Sequence, residues 1–199
     1  MLEKYLSPEF IMALGMVAIM VLCPTFLVYK LAEKQKPARP IPHFPQGVQG
    51  WLLVFVATVI LSLIFTIVDA MNIAAQMQKS IGTVNWSFMA PYIVVCGLYF
   101  YCLWLITYKR AAFVVRQVIV ILWVVGPISL LLLTFFFGAS VPNGVIVRSA
   151  IYAGLWTCYF LFSKRVACTY GTKAVDSYED IALKMAQAQK EVESKKEKN

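Results

Sequence analysis

WLLVFVATVILSLIFTIV, residues 51–68, is a run of eighteen residues without a charge, a proline or a glycine. At ~1.5 Å of rise per helical residue it approaches the ~30 Å thickness of bilayer hydrocarbon, which no core of a small soluble domain requires. It reads as a membrane span. A helix in lipid satisfies its own backbone but leaves loops, charges and partners to be settled elsewhere, so the rest of the chain is expected to build beside it.

Composition agrees. Sixty per cent of the 199 residues are apolar, 14% are charged and the mean hydropathy is +0.72. These values exclude a disordered chain and an ordinary soluble domain, and the length suffices for four to six helices. A net charge of +8 invites nucleic acid as a partner, so its position matters. From Thr172 to the end six basic and six acidic residues cancel, leaving twelve basic against four acidic in the hydrophobic body. Basic residues beside apolar spans are a topology signal before they are a binding surface, and no nucleic-acid partner is expected.

Four further spans are read in order. Phe10 to Tyr29 is uncharged and closed by Lys30. Its acidic leader and its length argue against a cleaved signal peptide and for a retained first helix, which Pro24 should bend. Ala32 to Gln49 holds prolines at 37, 40, 42 and 45, so residues 32–49 are expected to form an extended cytoplasmic connector, either a plain linker or a strand for a partner's aromatic groove. Beyond the opening span, a third helix is placed from about Phe88 to Tyr108, with Pro91 in its first turn. Trp86 and Tyr92 at one end, and Trp104 and Tyr108 at the other, suit two interfacial aromatic belts. A fourth helix runs from about Phe113 to Phe137, broken by Gly126-Pro127, and a fifth from about Val145 to Ser163. The expected domain plan is residues 1–31 as first helix, 32–49 as connector, 50–167 as a four-helix membrane core and 168–199 as cytoplasmic tail.

The lysines and arginines fix an expected orientation. If the first helix ends inside, fifteen lie on the inner side, and only Lys4, Lys79 and Arg148 lie outside. The positive-inside rule then predicts an all-α, five-span bundle with its amino terminus outside and its carboxyl terminus in the cytoplasm. In the tail, Ser177 and Asp180 have capping-box spacing, and Ile181, Met185, Ala188 and Val192 form a short apolar stripe. That stripe is a candidate for a protein partner or for the inner leaflet.

Three groups of residues carry a resemblance: Gly50-Trp51-Leu52-Leu53 opening a helix, Lys109-Arg110 followed by Phe113, and Tyr159 to Val166, YFLFSKRV. Together they resemble the domain of unknown function 2569 family of small bacterial membrane proteins, over about Val48 to Tyr170. The resemblance implies a bacterial inner-membrane location and a four-helix unit. It supplies no activity and no catalytic residues.

The inventory offers little to an enzyme. The lone His43 lies in the connector, so a bis-histidine haem or a His-rich zinc site is not available from this chain alone. Cys23, Cys96, Cys102, Cys158 and Cys168 contain no C-x-x-C pair and read as buried small hydrophobes. Asp69 has no companion carboxylate in the spans, and there is no nucleophile elbow or phosphate loop. No catalytic residue, cofactor or metal is expected.

Two non-enzymatic classes remain. In one, the chain is an accessory or binding subunit. It packs against another membrane protein or its own copies, and Lys109, Arg110, Arg116, Lys164 and Arg165 meet anionic headgroups at ~1 kcal/mol per cation. Positive-inside topology alone explains the same five residues. In the other, a small carrier or channel uses Asp69 and Arg148, both expected toward the outer half. Against it, no span has a polar face along its whole length.

Overall fold

The computed structural model describes residues 8–38, 46–83, 86–137, 141–172, 180, 181, 183, 184 and 187. Long apolar runs between prolines and glycines leave the backbone no better partner than itself, and every regular element among these residues is helical. The helices are α1 (Pro8–Glu33), α2 (Trp51–Ile81), α3 (Trp86–Tyr108), α4 (Ala112–Trp123), α5 (Ser129–Phe137), α6 (Asn143–Phe162) and α7 (Lys164–Tyr170). A π-helical turn, Val124–Ile128, joins α4 to α5. Five stretches are long and apolar enough to cross a membrane: Gly15–Glu33, Trp51–Lys79, Met89–Tyr108, Ala112–Phe135 and Asn143–Phe162. The chain is thus built as a multi-pass membrane protein.

It divides into two compact units, Met1–Lys34 with Gln49–Thr107, and Gln35–Val48 with Tyr108–Asn199. In the first, α1 runs through Pro24 without a break and packs against α2. On α2, Leu52, Phe55, Val56, Val59, Ile60 and Leu63 are buried, recurring every three or four residues as one face of a helix must. Outward-facing side chains are equally apolar, with Met16, Ile19, Phe26 and Phe65 all more than half exposed, which water would penalise and lipid does not. Two threonine hydroxyls in the first unit return to their own helices. Thr25 donates to the Val21 carbonyl at 2.7 Å and Thr66 to that of Ser62 at 2.8 Å, which satisfies a polar group where water is absent.

In the second unit the expected break at Gly126-Pro127 is present. Gly126 leaves helical geometry at φ −85°, ψ −106°, and a Cβ there would stand 2.8 Å from Ser149 Oγ on α6. Pro127 lacks an N–H to continue the ladder, and beside it the hydroxyl of Ser129 donates to the carbonyls of Val125 and Gly126, at 2.5 and 2.9 Å. Trp123 Nε1 donates to Thr157 Oγ1 at 3.1 Å and pins α4 to α6.

One expectation needs correction. Cys102 and Cys168 are buried, but Cys23 and Cys158 are exposed on their helices, since a thiol is apolar enough to face lipid as readily as a core. All five thiols are free. The end of the last span is also more elaborate than a simple exit. The chain turns at Ser163 into α7, Lys164–Tyr170.

Candidate functional site

The site is at the end of the second unit where α6 gives way to α7. Ser163 is extended, φ −74°, ψ 122°, and its Oγ accepts from the Val166 N–H at 3.5 Å, so it caps the short helix that follows. Gly171 closes α7 in the left-handed region, φ +66°, with its N–H on the Ala167 carbonyl at 2.8 Å. Between these caps Val166, Ala167, Cys168, Thr169 and Tyr170 are all buried. A seven-residue helix has too little hydrogen bonding to hold itself, so packing must hold it.

The proline-rich connector supplies part of that packing. Ala38 N–H donates to the Thr169 carbonyl at 3.1 Å, and Gly47 N–H donates to Thr169 Oγ1 at 2.9 Å. The same hydroxyl donates to the Arg165 carbonyl at 2.6 Å, so Thr169 is bonded both within its helix and to the connector. A Cβ at Gly171 would lie 3.2 Å from the Cβ of Ala38. Both described ends of the connector are therefore fastened to α7. Residues 39–45, with Arg39, His43 and three of the prolines, lie outside the described residues.

The basic elbow between α3 and α4 completes the site. The Arg110 guanidinium stands 5.5 Å from the centre of the Tyr170 ring, and its Nη1 donates to the Tyr170 hydroxyl at 3.4 Å. Burial lowers the Arg110 pKa from its ordinary value, and Tyr170 opposes that shift. The guanidinium stays protonated at neutral pH all the same. Because α7 packs on both α4 and α6, the elbow and the closing motif share one end of the unit.

All five expected rim cations sit in these two segments or in the second turn of α4. Lys109, Arg116 and Lys164 are exposed, while Arg110 and Arg165 are half-buried. No aspartate or glutamate occurs between Asp69 and Asp176. One η nitrogen of Arg165 is buried with no hydrogen-bond partner among the described residues.

The other candidates are less developed. Asp69 is exposed on α2 in the first unit, and Arg148 is exposed on α6 in the second. In the tail, Asp180 and Ile181 are helical and exposed, whereas Ser177, Met185, Ala188 and Val192 lie outside the described residues. No cluster of three or more His, Cys, Asp or Glu side chains is gathered among the described residues. Thr169, Tyr170 and Gly171 were not singled out from the sequence. The available signal was Ser163 followed by Gly171, a cap at each end of a short helix.

No curated protein and no solved structure matches the chain. One family model does, over residues 45–171, a span that starts at the end of the connector and stops on the glycine that closes α7. It takes in the elbow, the kinked span and the capped knot, and omits α1 and the tail. That is well over half of the 199 residues, and the chain belongs to the family described as proteins of unknown function, DUF2569.

Proposed function

We propose that this is a non-catalytic accessory or binding subunit of a bacterial inner membrane, which packs against another membrane protein and holds anionic lipid at a cationic cytoplasmic rim. The observation that carries the proposal is the grouping of Lys109, Arg110, Arg116, Lys164 and Arg165 at one end of a unit whose sequence has no acidic residue before Asp176. Cations gathered on one rim draw anions, and each near a headgroup surface contributes ~1 kcal/mol. With that rim inside, the amino terminus lies outside and the carboxyl tail in the cytoplasm, as the excess of Lys and Arg on that side favours.

Support for a protein partner comes from α1, where Met12, Met16 and Met20 are all more than half exposed. Flexible thioethers suit a surface that adapts to another helix. The test is purification of the full chain in mild detergent, followed by mass spectrometry of the proteins and lipids it retains. A membrane protein in near-equal amount, with lipids enriched in phosphatidylglycerol or cardiolipin over the bulk membrane, is expected. Bulk lipid composition with no retained membrane protein would overturn the proposal. Reporter fusions with both termini on one face would overturn its topology.

A further inference from the structure

Beside the knot, α4 and α6 leave a groove of about 320 Å³, lined by Val115, Arg116, Ile119, Val120, Leu161 and Thr172 among others. We infer that this groove is a discrete site for one anionic phospholipid, with an acyl chain between α4 and α6 and its phosphate on Arg116. The inference rests on the cationic-rim proposal and narrows it from a surface to a single position.

The distribution of polarity along the groove carries the argument. Arg116 and Thr172 are its polar lining residues, and Val115, Ile119, Val120 and Leu161 are apolar. On α4, Val120 lies one turn beyond Arg116 and Ile119 one turn beyond Val115, so two neighbouring ridges of one helix form the wall, about 6 Å deeper than the cation. One turn further on, Trp123 is bonded to Thr157 and holds the two helices together. A ligand charged at one end and apolar along the rest matches that order, as a phospholipid does.

Size and charge select among apolar occupants. The volume is at the lower end of the ~300–1,000 Å³ of small-molecule sites and suits one chain, whereas a helix with its side chains is ~10–12 Å across. Arg116 is the charged residue of the groove, and none of its described lining residues is acidic. A net-negative headgroup is therefore favoured over a zwitterionic one.

The experiment titrates the delipidated full chain in detergent with phosphatidylglycerol or phosphatidylcholine and counts bound lipids by native mass spectrometry. The wild type should fill one tight position with phosphatidylglycerol before any others. Arg116→Gln should weaken that position about fivefold, the equivalent of ~1 kcal/mol. Val120→Trp should abolish it by filling the groove, and Lys79→Gln in the first unit should change nothing. Val120 and Leu161 are each more than half exposed, so Leu161→Trp repeats the test from the other wall if Val120→Trp does not fold. If the tight position survives both Arg116→Gln and a groove-filling tryptophan, the groove site is wrong while the rim proposal stands. If the wild type does not prefer phosphatidylglycerol at all, both fail.

Discussion

In the first unit α2 continues for thirty-one residues without interruption, whereas in the second the chain from Ala112 to Phe137 divides at a π-helical turn and the chain after Phe162 turns into a capped, buried helix. The long rods of the first unit carry apolar side chains on every side, and lipid is an adequate neighbour for most of them. Each irregularity of the second unit needs one particular partner: Ser149 beside Gly126, Ser129 for carbonyls of the turn, Thr169 for the connector, Tyr170 for Arg110. Regular helices in a membrane are thus held by a property of their surfaces, and the breaks between them by individual atoms. The unit with the specific contacts is also the one with the cations.

That contrast predicts unequal sensitivity to mutation. Tyr170→Ala should have the largest effect, about 3–5 kcal/mol as for other buried aromatic truncations, and it also takes away the ring against which Arg110 stands. In a variant whose only thiol is the buried Cys168, maleimide labelling should accelerate at least a hundredfold, since each ~1.4 kcal/mol is a factor of ten. Labelling no faster than in the parent would mean that the knot is not held by Tyr170. Gly126→Val should cost about 2–3 kcal/mol, because a side chain there overpacks against Ser149. A thermal midpoint in detergent equal to that of the parent would show that α6 can yield.

Thr169→Val should rank next, at about 1–3 kcal/mol, by leaving the Gly47 N–H without its acceptor. Hydrogen exchange at Gly47 should then rise while exchange in α2 is unchanged. The smallest effect is expected for Phe65→Ala in the first unit, within ~0.5 kcal/mol, because that ring is 54% exposed. A loss comparable to that of Tyr170→Ala would show that the face is covered by protein, and would erase the contrast between the units.

What could be read from the sequence follows the same division. Length and the absence of charge placed the spans, with helix starts expected at Phe88, Phe113 and Val145 and found at Trp86, Ala112 and Asn143. Gly126-Pro127 announced its break, since proline chemistry is local. α7 was missed because seven residues are too few to establish a period. Only Ser163 and Gly171, read as paired caps, would have revealed it. The fastening of the connector was less accessible still, because Gly47 meets Thr169 across 122 positions of chain and nothing near either residue signals the other. Of the candidate site, the cations were legible from their positions between spans, and the aromatic and hydroxyl groups that gather two of their segments were not.

Ala38 and Gly47 share a single anchor in Thr169, so one residue of α7 ties the connector at two points. Lengthening the chain between two fixed points is inexpensive, since each doubling costs only ~0.6 kcal/mol of closure entropy. An epitope or a fluorophore inserted between Ala38 and Gly47 should therefore leave the helices on either side in register.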